Sequence, residues 1–441
     1  MLERISSSEK ERLEAKLNSI KARSVALDAE LLKLVQVIIA DVRARGDAAL
    51  IDYSRQFDGC ELTPAGLRVS EEALQRSAAK VEPGFVEALT VAIANVRGFH
   101  QHERQQSWEI ERENGARLGQ RITPIECVGL YVPGGTASYP SSVVMNVVPA
   151  QVAGVKRIVV TTPPRALQES PALAAALLQL GVTEIYGVGG AQAIAALAYG
   201  TETVPRVDKI TGPGNKYVAA AKKLVFGAVG IDSIAGPTDV VIIADETARA
   251  DFVAADMLAQ AEHADDACAV LITTSERLAN DVSLELSNQT QSLSRRTIIE
   301  NSLDKFGAVF VVTDLDEACA IANDLAPEHL EIITNDDEAV AGRIRHAGAI
   351  FFGPYSPEAV GDYLGGPNHV LPTAGAARFS SALAVYDFVK RTSLLRYSRE
   401  AMQRSSEAIA TLAMAEGLDA HARSALIRTR ARNDFAADCR L

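Results

Sequence analysis

Short apolar runs alternate with glycine-rich loops and helical stretches over much of the chain after about residue 128. The first three runs are Val128–Val132, Lys156–Thr162 and Glu184–Gly190, and proline or glycine lies at or beside the end of each. Stretches of helical composition follow at 171–180 and 191–199. Strand, loop and helix in this order are typical of parallel sheets joined by crossover helices. The pattern predicts an α/β fold.

A second series of strands follows Gly236–Pro237. It comprises 240–244, 269–274, 308–313 and 330–334, with a long helix predicted at 248–263. We therefore expect two incomplete, doubly wound, Rossmann-like α/β domains with smaller helical extensions at both ends. The expected bounds are 1–24 for the N-terminal helical extension, 25–128 plus 237–380 for the first α/β domain, 129–236 for the second and 381–441 for a helical tail.

Charge and cysteine usage exclude several classes of protein. The 441 residues carry a net charge of −12, which disfavours nucleic acid and anionic membranes as partners. The five cysteines are far apart and form no CxxC pair, so we expect reduced thiols in a cytoplasm rather than disulfides or a zinc knuckle. The charged N-terminus does not resemble a signal peptide, and no apolar run approaches the ~18 residues of a membrane span.

Gln260 and His263 are the first candidate ligands. They lie three residues apart near the predicted C-terminal end of the helix at 248–263, so they share one face. A carboxamide oxygen and an imidazole nitrogen there suit one divalent metal. The alternative is a polar helix end that is hydrogen-bonded to its own loop.

Two further clusters pair a carboxylate with a histidine. Asp362 and His369 flank the turn at 365–367, and the alternative there is an ordinary Asx turn. Glu328 and His329 enter the strand that begins at Leu330, where adjacent side chains point to opposite sides. An acid/base pair at this position suits proton transfer, and the alternative is a surface turn with an exposed ion.

Two glycine loops each precede a helix. They are Gly187–Gly190, which leads to Gln192, and Gly212–Gly214, which leads to Asn215. Backbone N–H groups at helix N-termini bind pyrophosphate, so the loops favour a dinucleotide. The first loop is not the G-x-G-x-x-G fingerprint, because Gln192 stands in place of the third glycine.

Together these segments resemble the histidinol dehydrogenase family. The matching stretches extend from about residue 43 to residue 428, nearly the whole chain. They read ARGDAAL, GLYVPGGTASYPSSVVMNVVPA, GVGGAQAIAALAYGTE, KITGPGNKYV, IAGPTDVVIIAD, MLAQAEH, APEHLEI, GDYLGGPNHVLPT, YDFVKR and AEGLDAHARSALIR. The resemblance implies a cytoplasmic homodimeric enzyme of histidine biosynthesis. Such an enzyme oxidises L-histidinol to L-histidine through L-histidinaldehyde, with one Zn²⁺ per subunit and two NAD⁺ per turnover.

The resemblance also implies a role for individual residues. The first α/β domain then carries the metal and catalytic residues, the second faces NAD, and the tail reaches the partner's site. Glu328 and His329 match the acid/base pair. The implied zinc ligands are Gln260, His263, Asp362 and His421. The implied substrate contacts are these four together with Thr238, His329, His369 and Glu416, and the implied NAD contacts are Tyr131, Gln192 and Asn215. By itself, His421 on a charged tail helix would be interpreted as solvated.

One difference from the family lies at Thr238–Asp239, where the family usually has Ser-Glu. The hydroxyl and the carboxylate are both retained, so we expect little effect on the chemistry. Three rival functions stay open at this point. They are a paralogous dehydrogenase for another small polar alcohol, a zinc hydrolase that needs no nicotinamide, and a metal-stabilised binding protein without turnover.

Overall fold

The computed structural model describes residues 2–23, 27–134 and 139–429. The chain forms two compact units, with divisions after residues 103, 124 and 388. The strands are β1 (Glu3–Ser6), β2 (Trp108–Glu111), β3 (Arg117–Pro124), β4 (Cys127–Tyr131), β5 (Arg157–Thr162), β6 (Glu184–Gly187), β7 (Lys209–Thr211), β8 (Gly230–Ile231), β9 (Asp239–Ala244), β10 (Cys268–Thr273), β11 (Ala308–Val311), β12 (His329–Ile333), β13 (Ala349–Phe352) and β14 (Val389–Arg396).

The helices are α1 (Lys10–Lys21), α2 (Ala29–Arg45), α3 (Asp47–Asp58), α4 (Pro64–Leu67), α5 (Glu71–Ala78), α6 (Pro83–Gln101), α7 (Pro140–Ala153), α8 (Ala166–Glu169), α9 (Pro171–Gln179), α10 (Gly190–Tyr199), α11 (Lys216–Val225), α12 (Ala250–Ala261), α13 (Glu276–Thr290), α14 (Arg296–Phe306), α15 (Leu315–Leu325), α16 (Asp337–Ala341), α17 (Glu358–Tyr363), α18 (Arg399–Ala415) and α19 (Asp419–Leu426).

The larger unit contains two parallel sheets with the same winding. One has six strands in the order β1-β11-β10-β9-β12-β13, and the other has five in the order β6-β5-β4-β7-β8. Apart from the edge strand β1, the chain enters each sheet centrally, adds two strands on one side and then crosses to the other side. This is the Rossmann-type order, and it creates a switch point between β9 and β12 and another between β4 and β7. The N-terminal extension, expected to be helical, also contributes a strand, because β1 pairs with β11 at the edge of the six-stranded sheet. The expected α/β, Rossmann-like fold class is confirmed.

The central strands are buried on both faces, which explains their continuous apolar sequences. Every residue of β9 and of β10 is buried. One side of the sheet packs against α12 and α13, through residues that include Val253, Met257 and Val282. Strands covered by crossover helices have no polar face, and so they lose the alternating pattern of a half-exposed strand.

Helices α2 and α3 pack beside the five-stranded sheet. Val35, Ile38 and Leu50 belong to one apolar cluster with Ile194 and Val218, which lie on α10 and α11. Gly46 joins the two helices with φ of 56°, a conformation that glycine adopts without strain. The domain bounds proposed from the sequence stay a prediction.

The smaller unit is an antiparallel sheet in the order β14-β3-β2, together with α18 and α19. A wholly helical tail from residue 381 is therefore wrong over β14. This strand pairs along its full length with β3, from Val389 opposite Pro124 to Arg396 opposite Arg117. In the larger unit, α5 and α6 are separate helices, because Pro83 begins α6 at its first turn. Across the described ranges, no helix is both long and apolar enough to cross a bilayer.

Candidate active site and metal centre

The acidic and histidine side chains meet at the amino-terminal edge of the six-stranded sheet. Thr238 precedes β9, and His329 is the first residue of the neighbouring strand β12. The helix that follows β9 runs back across the sheet, so the end of α12 returns to this edge with Gln260. The contact is direct, because Gln260 Nε2 donates to Thr238 Oγ1 over 3.0 Å.

Glu328 is held by three hydrogen bonds to the start of β9. Its Oε2 accepts from Thr238 Oγ1 at 2.5 Å and from the Asp239 backbone N–H at 3.2 Å. Its own N–H donates to Asp239 Oδ1 over 2.9 Å. Burial and the nearby Asp239 carboxylate raise the pKa of Glu328 well above the usual range of a glutamate. The carboxyl group is thus fixed in place and made more basic.

His329 is buried with one ring nitrogen oriented and the other free. Nδ1 lies 3.1 Å from the Asp239 carbonyl oxygen, so it carries the proton, and 3.5 Å from Glu358 Oε1. Nε2 is shielded from solvent and has no hydrogen-bond partner among the described residues. Burial lowers the pKa of His329 to about 4, so the ring is neutral near pH 7. The expected base therefore presents a lone pair at Nε2.

His263, Glu358 and Asp362 form a group that can hold a metal ion. One ligand atom from each lies within 4.8 Å of the other two, and His263 Nε2 is 4.0 Å from Glu358 Oε1. His263 follows α12 directly, whereas Glu358 and Asp362 lie one turn apart on α17. Pro357 is the N-cap of α17, which begins at Glu358.

Sequence reasoning missed Glu358. The residue is only 2% exposed, although it stands at a helix start, where a glutamate is usually solvated. A carboxylate four residues before Asp362 on one helix face was the available signal.

The donor set fits a divalent cation such as zinc. Gln260 is fully buried, and its Oε1 has no hydrogen-bond partner among the described residues. An unpartnered buried carbonyl oxygen costs free energy unless a donor or a cation meets it. Glu358 Oε2 is likewise buried without a donor in the described chain, and burial followed by Asp362 raises the pKa of Glu358. Histidine nitrogen and carboxylate oxygen atoms are common zinc ligands in proteins.

His369 belongs to the same site. Its Nε2 is buried without a partner among the described residues, burial lowers its pKa, and Asp362 and His263 act on it electrostatically. The preceding Asn368 is anchored, since Nδ2 donates to the Met145 carbonyl oxygen over 2.6 Å. His100 is fully buried, and its Nε2 lies 3.4 Å from that amide nitrogen.

Tyr131, Gln192 and Asn215 gather at the carboxyl-terminal edge of the five-stranded sheet. Tyr131 ends β4, and its hydroxyl accepts from Gly190 N at 3.1 Å where α10 begins. Gln192 is buried and its Oε1 has no partner among the described residues. Asn215 caps α11 by accepting from two backbone N–H groups. This edge lies at the β4/β7 switch point, where open α/β sheets bind nucleotides.

Glu416 and His421 lie in the smaller unit. Glu416 is the C-cap of α18, and His421 is an exposed residue of α19. His421 lines a cleft with Met402 and Ile409. The structure thus brings seven of the predicted residues together at one sheet edge, three at the other sheet, and these two in a separate unit. The seven are Thr238, Gln260, His263, Glu328, His329, Asp362 and His369.

Comparison with known proteins gives a consistent result. The sequence model described as histidinol dehydrogenase matches residues 21–429. The chain is 54% identical over 400 residues to histidinol dehydrogenase of Geobacillus kaustophilus, covering 90% of this chain and 94% of that one. It is 50% identical over 413 residues to that of Bacillus subtilis, covering 93% and 96%. The crystal structure of histidinol dehydrogenase from Elizabethkingia anophelis superposes with a TM-score of 0.90 at 35% identity, covering 97% and 98%.

Proposed function

The chain belongs to the histidinol dehydrogenase family, an enzyme family of histidine biosynthesis, and we propose from this how its residues carry out the reaction. In the proposed reaction L-histidinol is oxidised to L-histidine through L-histidinaldehyde, and each of the two oxidations passes a hydride to one NAD⁺. The unpartnered Nε2 of buried His329, beside a cluster of metal-ligating side chains, is the observation that carries the proposal.

Gln260, His263 and Asp362 are the proposed zinc ligands of one chain. Gln260 offers the Oε1 atom left without a partner, because its Nε2 is already used by Thr238. Bound zinc would supply Lewis acidity and a fixed point for nitrogen ligands of the substrate. Glu358 Oε1 lies 3.5 Å from His329 Nδ1 and 4.0 Å from His263 Nε2, so its carboxyl group borders the proposed zinc position and helps to orient the His329 imidazole.

His329 acts as the base of both oxidations. Its Nε2 takes the proton of the substrate hydroxyl as the carbon-bound hydrogen leaves with its electron pair for NAD⁺. The hydrogen bond from Nδ1 to the Asp239 carbonyl oxygen holds the ring and fixes the tautomer that this step requires. The substrate is held at its imidazole end, so that the reacting carbon at the other end is positioned.

Glu328 acts between the two oxidations. Its carboxylate takes a proton from a water molecule whose oxygen attacks the aldehyde carbon, while protonated His329 returns its proton to the aldehyde oxygen, and the hydrated aldehyde results. His329 then accepts a hydroxyl proton of the hydrate as the second hydride leaves, and the product is the carboxylate. The hydrogen bonds from Thr238 and Asp239 hold the Glu328 oxygen in place for this step.

A cysteine nucleophile is the disfavoured variant of the second oxidation. Burial raises the pKa of the Cys127 thiol to about 11, whereas a nucleophilic cysteine requires a lowered pKa. Cys127 also begins β4, at the amino-terminal edge of the five-stranded sheet, and its thiol has no role in the proposed scheme.

The NAD⁺ contacts are proposed at Tyr131, Gln192 and Asn215, beside the helix N-termini of α10 and α11. We also propose a cytoplasmic homodimer in which His421 completes the zinc ligands, and Glu416 the substrate pocket, of the partner's site. Thr238 and His369 are the remaining proposed substrate contacts. His369 has an unpartnered Nε2 available for this purpose.

The test is the stoichiometry of NADH formation. Two NADH per L-histidinol, with L-histidine as the product, are expected from the full-length protein. A chelator should abolish the reaction, and added Zn²⁺ should restore it. One NADH with aldehyde as the final product would contradict the two-step scheme. Faster turnover of another amino alcohol would favour the paralogous dehydrogenase, and nicotinamide-independent hydrolysis would favour the zinc hydrolase.

A further inference from the structure

Glu331 is a buried carboxyl group that the proposed reaction does not use. It is 2% exposed and lies two residues after His329 on β12, so both side chains project from the same face of the sheet. Its Oε1 accepts from the backbone N–H of Glu358 over 2.9 Å, at the first residue of α17. Its Oε2 is shielded from solvent and meets no donor among the described residues.

Asp256 on α12 supplies the group that faces Glu331. The two carboxyl groups lie within hydrogen-bonding range of each other. Two ionised carboxylates at this distance repel, so the contact is a hydrogen bond only when one proton is shared between them. Burial raises the pKa of Asp256 to about 6, and burial together with Asp256 raises that of Glu331, as a retained proton requires.

The elements joined by this contact are those that carry the candidate ligands. Asp256 lies one helical turn before Gln260, on the same face of α12, and His263 follows the end of that helix. Glu331 caps the first N–H of α17, which carries Asp362. The helices α12 and α17 also pack against each other. After burial, four neighbouring carboxyl groups raise the pKa of Glu358, namely those of Asp362, Glu331, Glu328 and Asp256.

We propose that Asp256 and Glu331 are positioning residues, and that their side-chain contact, together with the hydrogen bond from Glu358 N–H to Glu331, forms a carboxyl bridge that fixes α12 and α17 on β12. The bridge thereby holds Gln260, His263 and Asp362 at the separations that a single metal ion needs. It rests on the metal centre given under Proposed function. Residues that orient metal ligands without touching the metal typically contribute about 10- to 100-fold to metal affinity.

The test is Co²⁺ binding to the metal-stripped, full-length protein, followed by the visible absorption of the bound ion. Glu331→Leu removes both contacts of Glu331, the one with Asp256 and the one with Glu358 N–H. It should weaken Co²⁺ binding by about 10- to 100-fold and alter the absorption spectrum. Glu331→Gln should stay within about threefold of the parent protein, because its amide accepts from Glu358 N–H and donates to Asp256. Rescue by the amide separates positioning from simple loss of packing.

Asp245→Leu is the matched control. Asp245 is also buried, and it lies just beyond the carboxyl end of β9, where it accepts a hydrogen bond from Asn335 N at 2.7 Å. Within the described chain, it does not hold either of the helices that carry the candidate ligands. Its replacement should lower the melting temperature and leave Co²⁺ affinity unchanged. If Glu331→Leu does not fold, Asp256→Leu and Asp256→Asn replace the two Glu331 variants, with the same expected loss and the same expected rescue.

Several outcomes would overturn the bridge. One is parental Co²⁺ affinity and spectrum in the leucine variants, and another is an amide variant that binds as weakly as the leucine variant. In both cases the parent protein still binds Co²⁺, and the metal centre stands. A parent protein that does not bind Co²⁺ at all would overturn the metal centre itself, and the bridge with it.

Discussion

At the scale of single residues, the site depends on which atoms lack a partner. His329 Nε2 and Gln260 Oε1 are buried without hydrogen bonds in the described chain, although their other polar atoms are bonded. Unpaired buried groups are costly, and they persist where a ligand or a substrate completes them. We therefore place the chemistry at these two atoms.

Replacing His329 by Asn tests the base. The amide keeps a donor for the Asp239 carbonyl oxygen but has no basic lone pair, so both oxidations should fall by about 10²- to 10⁴-fold. NADH formation from histidinol and from histidinaldehyde measures the two steps separately. His102→Asn, at the exposed C-cap of α6, is the control and should retain activity. A near-normal rate in His329→Asn would remove this residue as the base.

Replacing Glu328 by Gln tests the division of labour. The amide oxygen can still accept from Thr238 and Asp239 but cannot take a proton from water, so aldehyde oxidation should fall by at least about 10²-fold. Alcohol oxidation should fall much less, because no water is activated in that step. Single-turnover rates from each substrate provide the comparison. An equal loss in both steps would show that Glu328 does not act between them.

Site residues that lie in recognisable motifs could be predicted from the sequence. Residues whose role depends on their burial in the fold could not. Glu328, His329 and Asp362 were found because their motifs match a family. Glu358 and His100 were missed, since a carboxylate at a helix start and a histidine among arginines are usually solvated. Their burial depends on elements distant in sequence, which no local pattern records.

At the scale of elements, close backbone packing sets the position of the catalytic strand. A Cβ added to Gly348 would lie 2.6 Å from the Glu328 carbonyl oxygen, between the starts of β12 and β13. Gly348→Ala should therefore displace Glu328 and His329, with a stability loss of about 1–3 kcal/mol and a clear fall in kcat. Thermal unfolding and steady-state rates measure both effects.

Gly342→Ala is its control. The nearest atom to an added Cβ there is 3.4 Å away, at the end of α16, so stability and rate should change little. A Gly348→Ala enzyme with parental kcat would show that the starts of these strands tolerate displacement.

The carboxyl bridge also predicts how stability depends on pH. Burial and Asp256 raise the pKa of Glu331 above its ordinary value of 4.5, so the folded protein retains a proton that the unfolded chain releases. The stability of the parent protein therefore declines as pH rises from about 4.5 toward the folded-state pKa. Glu331→Gln cannot ionise, so its stability relative to the parent should rise with pH, by at most about 1.4 kcal/mol per unit.

Denaturant unfolding of the metal-free protein at several pH values between 5 and 8 measures this difference in the free energy of unfolding. The values closest to pH 7 are the most informative. Glu184→Gln is the control of opposite sign, because the Arg157 side chain lowers the pKa of Glu184. Its stability relative to the parent should fall only as pH rises toward about 4.5, where the unfolded carboxyl ionises, and should not rise between pH 5 and pH 8. A pH-independent difference for Glu331→Gln would contradict the retained proton.

The parallel sheets were predictable, whereas the antiparallel sheet was not. Continuous apolar runs such as Val240–Ala244 signal strands buried on both faces, and the glycine loops mark where they end. The strand β14 is mostly exposed and carries Lys390, Arg391 and Arg396, so its composition resembles a charged helix. It is a strand because it pairs with β3, a segment far earlier in the chain.

At the scale of the whole molecule, the proposal requires two chains for each site. His263→Asn and His421→Asn should each inactivate the homodimer. If His421 serves the partner's site, a mixed dimer contains one site with both changes and one with neither. Statistical mixing should therefore restore about a quarter of the parental activity. Refolding equimolar mixtures and assaying NADH formation tests this, and mixtures no more active than their components would contradict sharing.

The claim on which the mechanism rests is that separate side chains hold one metal ion at the edge of the six-stranded sheet. Anomalous diffraction at the zinc edge, from crystals of zinc-loaded protein, tests it most directly. The account predicts one peak per chain about 2.0–2.2 Å from His263 Nε2, Asp362 carboxylate oxygen and Gln260 Oε1. A zinc peak that lies within bonding distance of other residues and of none of these three atoms would contradict it.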